Sequence, residues 1–266
     1  MYPVVVSDLD GTLLNDSHEL SDRSREIIQN LSAKGIKFIF ATGRHYLDVD
    51  QIRAQLGIDM YLITSNGARV HSPGGEEIIR HDIFPEYVNP LIELGRKYQQ
   101  SVFTSVYQGS HWYVEQEHEK LLEYHKDSGF SYTHCDLDGI ETTGVQKIFF
   151  NTESHEDLLP LAEETMTLYG DKLSMTYSLP TCFEVMAPGV CKGVALAEVL
   201  KLKGYEFRDA IAFGDGLNDF EMLQEVGKGI LMGGADKKLR AKLPDNEVIG
   251  LANDNAVAEY LNNLYN

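Results

Sequence analysis

The sequence predicts an α/β protein, a Rossmann-like parallel sheet core into which a separate α+β unit is inserted, and three observations carry the prediction. Val4-Val5-Val6 is an apolar run without polar alternation, which suits a strand buried on both faces. The stretch from Val4 to Gly67 reads strand-helix-strand-helix-strand, the rhythm of a parallel sheet. That rhythm breaks near Pro85 and resumes after Pro188-Gly189.

The opening strand runs into Asp8-Leu9-Asp10-Gly11-Thr12. Were the strand to continue, residues 8 and 10 would point to opposite faces. Gly11 supplies the backbone freedom to break it, so that both carboxylates can face one pocket. An ordinary Asp-Gly turn would read the same in isolation. The acids stand at the end of a strand, where ligands bind in open α/β sheets.

Ser21 caps the next helix, whose apolar stripe is Ile27, Ile28 and Leu31 and which Gly35 ends. Residues 36–41 form a strand leading into Thr42-Gly43-Arg44. A short helix through Ile52 and Leu56 stops at Gly57, and the run 60–63 reaches Thr64-Ser65-Asn66-Gly67. Ala68-Arg69-Val70 and Ile78-Ile79, split by Pro73-Gly74-Gly75, form a hairpin.

The inserted unit reads as a helix through Leu91, Leu94 and Tyr98, then strands over 102–107 and 111–114. A helix over 117–126 precedes a turn-rich stretch. After it come a strand at 147–151, a helix at 156–169 and strands at 173–177 and 182–187. Strands joined as hairpins with helices between pairs mark an α+β unit. The parallel pattern returns with a helix over 193–203, a strand over 209–213 leading to Gly214-Asp215-Gly216-Leu217-Asn218-Asp219, a helix through Met222 and Leu223, a strand over 229–232 and a helix-strand-helix tail. Residues 1–83 and 189–266 are thus expected to form the core, and 84–188 the insert.

Composition bounds the function. The chain has 266 residues, 43% hydrophobic and 24% charged, with 41 acidic against 23 basic residues and a net charge of −18. Such a surface repels nucleic acid phosphates. It does not exclude a small phosphorylated substrate, because exposed charges are screened beyond about 8 Å at physiological salt. No apolar run is long enough to span a membrane and no signal-peptide pattern precedes Val4, so a cytoplasmic location and no membrane partner are expected. Cys135, Cys182 and Cys191 lack C-x-x-C spacing, which points to neither a disulfide framework nor a zinc site. Trp112 and Tyr113 lie in a strand and are expected to be core of the insert.

Four polar sites fall at strand ends or helix starts of one sheet: Asp8 with Asp10, Thr42-Gly43, Lys192, and Asp215 with Asn218 and Asp219. Singly, each has a plain structural reading as a cap, a turn or a solvated side chain. Together, the carboxylates suit Mg²⁺, a hard ion that takes carboxylate, water and phosphate oxygens. Thr42, the Gly43 amide, Lys192 and Asn218 suit phosphoryl oxygens.

D-x-D-G-T at Asp8–Thr12, the strand ending in Thr42, Lys192, and G-D-x-x-N-D from Gly214 to Asp219 resemble, in this order, the motifs of the haloacid dehalogenase-like hydrolases. The insert between Ser65-Asn66-Gly67-Ala68 and Lys192 resembles the C2-type cap of the Cof-type subfamily. Ala41-Thr42-Gly43-Arg44-His45 and Glu184-Val185-Met186-Ala187 are similar to stretches of bacterial pyridoxal phosphate and sugar phosphatases. The resemblance spans the whole chain. It implies that Asp8 is the nucleophile that becomes an aspartyl-phosphate and that Asp10 is the acid and base. It implies that Asp8, the Asp10 backbone carbonyl and Asp215 hold Mg²⁺ with Asp219 in support, and that the Leu9 amide, Thr42, Gly43, Lys192 and Asn218 hold phosphate.

Those roles require Asp8 ionised and Asp10 protonated at the outset, with environments that push their pKa values apart. An acid at residue 10 is needed when the leaving group is an alcohol. Phosphate monoester hydrolysis of a small metabolite is therefore expected, with a sugar phosphomutase or a non-catalytic phosphometabolite-binding protein as alternatives. Arg44, His45 and Glu184 flank the motifs and are candidates for substrate contact, with packing roles equally open. Cys191 stands where many members of the family have serine, leaving a reactive thiol as a minor reading.

Overall fold

β1 (Val4–Ser7) is buried along its whole length in the computed structural model, which describes residues 1–117, 125 and 128–266. It lies between β2 (Lys37–Ala41) and β12 (Ala210–Gly214), parallel to both, with Val5 opposite Phe38 on one side and Ile211 on the other. β3 (Met60–Thr64) extends the sheet beyond β2, followed by β4 (Arg69–His71) and β5 (Glu77–Arg80). β13 (Lys228–Leu231) and β14 (Glu247–Val248) extend it beyond β12. Six of these strands are parallel and β4 is antiparallel to β3. The chain leaves β1 toward β2 on one side and returns through β12 on the other, so β1 marks a topological switch point.

The uninterrupted apolar strands are explained by what covers them. Val5, Phe38, Phe40 and Ile211 pack under the helices Asp22–Ala33, Tyr46–Leu56 and Ala256–Tyr265. Val4, Val6, Ile39 and Ala212 pack on the opposite face under Lys192–Leu202, Phe220–Glu225 and Lys237–Lys242. Ser21 caps the first helix by accepting from the Ser24 amide at 3.0 Å, and Gly57 in the left-handed conformation ends the second. Residues 1–79 and 191–266 form one compact unit.

Residues 80–190 form the other compact unit. Its sheet has the order β10 (Ser174–Leu179), β11 (Cys182–Met186), β9 (Val145–Asn151), β6 (Phe103–Gln108), β7 (His111–Val114) and β8 (Thr133–His134), antiparallel except for β7 with β8. β8 lies in the stretch expected to be turn-rich and without a strand. The helices Pro85–Lys97 and His155–Tyr169 bury Val88, Leu91, Leu158 and Leu161 against Val106, Ile148, Phe150 and Val185. The other face carries Tyr107, Phe149 and Trp112, the last almost wholly buried. Lys147 is also buried there, 2.9 Å from Glu184 and over the Tyr107 and Phe149 rings. The helix expected over 117–126 falls largely outside the described residues. Among the described residues no helix is long and apolar enough to cross a membrane.

Candidate active site

The carboxyl ends of β1, β2, β3 and β12 hand over to Asp8, Thr42, Ser65 and Asp215 along one edge of the sheet. The Asp8 amide still donates to the Phe213 carbonyl at 3.0 Å, after which the chain turns away. The turn depends on Gly11, whose φ is +73°. A Cβ placed there would lie 2.5 Å from Asp215 Oδ2, so residue 11 must be bare both for its backbone and for its neighbour.

Lys192 starts its helix at the same edge, and the Cys191 thiol caps that helix by accepting from the Val194 amide at 3.4 Å. Burial raises the Cys191 pKa, which favours the thiol over the reactive thiolate. The Lys192 ammonium is fully buried and donates to Asp8 at 2.6 Å and Asp219 at 2.7 Å. The other oxygen of Asp219 accepts from the amides of Asp215 and Gly216 at 2.9 and 3.0 Å. Asp219 therefore ties Lys192 to the turn that presents Asp215. Thr12 donates to Asp215 at 2.8 Å. Thr12 stood inside the recognised motif without a role, and its partner lies 203 residues away.

Among the described residues, Asp8, Asp215 and Asp219 bring one oxygen each within 4.8 Å of one another. Burial first, and then carboxylate repulsion against the pull of Lys192, raises Asp8 well above the carboxylate range. Burial and the Asp219 charge push Asp215 up to about 7. One ammonium does not neutralise three carboxylates, of which Asp8 and Asp219 are buried and Asp215 partly so. An oxygen-only donor set with excess negative charge fits a hard divalent cation, which would restore the ionised forms.

Asp10 departs from expectation. Its carboxylate receives Arg44 Nε at 2.7 Å, Arg44 Nη2 at 2.5 Å and the His18 ring at 2.8 Å. Burial opposes ionisation, but these bonds win and hold Asp10 well below the usual carboxylate range. The two aspartates are thus pushed apart in the sense opposite to the one their expected roles demanded: Asp8 up, Asp10 down. At Asp8 burial comes first, and its lysine is shared with Asp219; at Asp10 the Arg44 and His18 bonds outweigh burial.

Arg44 is accordingly occupied by Asp10 and by the buried Asp48 at 3.2 Å. Asp48 lies four residues on, in the first turn of the helix Tyr46–Leu56 that follows Arg44. His45 is buried and caps that helix, its Nδ1 accepting from the Leu47 amide at 3.2 Å. Both side chains thus have partners within their own unit. His18 was missed; the turn that carries it is built by Asn15, whose Oδ1 accepts from the Ser17 and Glu19 amides. Glu184, in the 80–190 unit, pairs with Lys147 and accepts from Ser178 at 2.6 Å.

The remaining phosphate candidates lie in the same unit as Asp8. Thr42 is buried, its Oγ1 accepting from the Arg44 amide at 3.1 Å, and Gly43 lies between them. Leu9 buries its side chain and turns its carbonyl to the amides of Thr12, Leu13 and Leu14. Asn218 donates to Asn66 Oδ1 at 3.0 Å.

The family model for haloacid dehalogenase-like hydrolases matches residues 5–261. An HMP-PP phosphatase of Escherichia coli is 37% identical over 261 residues, covering 98% of this chain and 95% of the relative. An HMP-PP phosphatase of Klebsiella pneumoniae is 36% identical over the same length and shares. The fold matches that of a haloacid dehalogenase-like hydrolase from B. subtilis with a TM-score of 0.87 at 24% identity, over 98% of this chain and 99% of the other. With a carboxylate trio at the switch point of a doubly covered sheet, and with these relatives along its whole length, the chain belongs to the haloacid dehalogenase-like hydrolases, as a phosphatase of the Cof type.

Proposed function

We propose that the protein hydrolyses small-molecule phosphate monoesters in a Mg²⁺-dependent reaction through an aspartyl-phosphate on Asp8, with pyridoxal phosphate or a sugar phosphate as substrate. The observation that carries this is the pairing of Asp8 with Lys192 inside the carboxylate trio, with Asp10 separately gripped two residues away. Asp8, Asp215 and the Asp10 carbonyl would hold the cation, with Asp219 fixing Lys192. When bound, the cation supplies charge neutralisation for the phosphate dianion and for Asp8.

In the first half-reaction an Asp8 oxygen attacks phosphorus, the ester P–O bond breaks, and the departing alkoxide takes a proton from Asp10. In the second, Asp10 removes a proton from water, which attacks the phosphoryl group and restores Asp8 with release of phosphate. These halves need opposite protonation states of Asp10. The Arg44 and His18 bonds favour the carboxylate and hence the hydrolytic half, and they aim its oxygens. Lys192, Thr42, the Leu9 and Gly43 amides and Asn218 hold the phosphoryl oxygens. Residues 84–188 serve as the cap that selects the leaving group, with Glu184 and its partner Lys147 as candidates there. A cytoplasmic enzyme with a small phosphorylated metabolite as its partner fits this reading.

The test is phosphate release from pyridoxal phosphate, hexose phosphates, nucleotides and HMP-PP, the compound in the relatives' names, with Mg²⁺ and again with EDTA. Metal-dependent release confined to one or two compounds is expected, and none from Asp8→Asn. An isomeric phosphate in place of free phosphate would favour a mutase. Tight binding without release would favour a regulator.

A further inference from the structure

After β3 the chain passes through Ser65, Asn66 and Gly67 with φ of 49°, 55° and 102°, three successive residues in left-handed backbone, two of them bearing side chains. Side-chain-bearing residues enter that region at a cost, and Asn tolerates it better than most. Such a run persists only where its surroundings over-determine it. Here they do. The Ser65 amide donates to the Arg44 carbonyl at 2.9 Å and the Asn66 amide to the Thr42 carbonyl at 3.0 Å. Asn66 Oδ1 accepts from Asn218 Nδ2 at 3.0 Å, with Asn66 1% exposed. A Cβ on Gly67 would lie 2.5 Å from the Cys191 carbonyl, so the turn is pressed against the residue that precedes Lys192. One turn thereby meets the three segments that bring Thr42, Lys192 and Asn218 to the site.

We propose that Asn66 is a positioning residue for phosphate: its side-chain carbonyl fixes the orientation of the Asn218 amide, while its backbone registers Thr42. The proposal rests on the phosphatase reading of the site. With one Nδ2 hydrogen committed to Asn66, the Asn218 amide cannot rotate freely, and its second N–H is held as a donor.

The variant that isolates the side chain is Asn66→Gly, because glycine keeps the left-handed backbone without strain. Turnover of p-nitrophenyl phosphate with Mg²⁺ by the parent protein tests the phosphatase reading by itself. Binding of inorganic phosphate, read as the rise in thermal midpoint over a phosphate titration with Mg²⁺ present, tests the positioning role whether or not turnover occurs. Asn66→Gly is expected to weaken phosphate binding and raise KM roughly tenfold, as for one lost hydrogen bond to a charged group, with kcat changed far less. In an Asn218→Ala background, Asn66→Gly should produce no further loss. An equal loss in both backgrounds, an unchanged phosphate affinity, or a parent protein whose midpoint does not respond to phosphate would each overturn the proposal.

Discussion

Lys192 and Asp219 form an ion pair of 2.7 Å in which both side chains are essentially out of contact with water. Removing one member of such a pair leaves a buried charge without compensation, at about 3–5 kcal/mol. Lys192→Met should therefore unfold at markedly lower urea concentration than the parent protein, measured in EDTA, and lose turnover. An unaltered midpoint would show that Asp8 and Asp219 do not depend on the ammonium.

Gly11→Ala tests the turn. The substitution forces a side chain into left-handed backbone and against Asp215, and strain of this kind costs about 1–3 kcal/mol. Turnover should fall more than stability does, because the displaced group is Asp215. The Mg²⁺ concentration for half-maximal activity should rise, and a variant with parental metal dependence would contradict the geometry.

Asp10→Ala separates leaving groups. An alkyl phosphate needs a proton on its departing oxygen, whereas p-nitrophenolate hardly does. The loss in kcat/KM should be about 10²–10⁴-fold for the alkyl ester and smaller for the nitrophenyl ester. Equal losses would remove Asp10 from the acid role and leave it only as the base.

His71 gives a pH dependence that does not involve the carboxylate trio. Its ring stacks on Tyr46 with centroids 3.7 Å apart, and burial pushes its pKa down to about 4. An unfolded histidine titrates near 6.5, so above about pH 6.5 it is neutral in both states and the contribution to stability is fully present. As pH falls through 6.5 toward 4 the unfolded chain takes up a proton that the native state refuses, and stability drops. His71→Phe keeps a ring on Tyr46 and should flatten the fall in thermal midpoint between pH 7 and 5. An identical slope in the variant would assign that fall to other groups.

The order of elements was legible because both faces of the core sheet are covered, so Val4–Val6 and residues 38–41 read as unbroken apolar runs. The short β8 was not, since Thr133–His134 is two exposed residues with no alternation to detect. That Asp8, Thr42, Lys192 and Asp215 gather at one sheet edge was legible from motif and strand end. Their pairings were not. That Arg44 meets Asp10 depends on the turn at Gly11 and on Asp48, and the pKa of Asp8 depends first on its burial and then on how many carboxylates share Lys192. Such choices belong to the folded neighbourhood, not to the type of any one residue. His18 left no signal, because its role follows from a turn around Asn15 and not from any spacing to Asp10.

The placement of β1 at the middle of its sheet bears on how the protein acquires activity. Asp8 meets Lys192 across 184 residues of chain and Thr12 meets Asp215 across 203. β1, β2 and β3 can pair early, but nothing local closes the other flank of β1. Contacts of such sequence separation form late and slowly. During synthesis Asp8 is therefore made near the start, while Lys192, Asp215 and Asp219 that complete its surroundings arrive only after the whole 80–190 unit has been made. A chain truncated before β12 would hold Asp8, Asp10 and Lys192 but neither Asp215 nor Asp219, so the carboxylate trio is complete only once the second half of the sheet has been made.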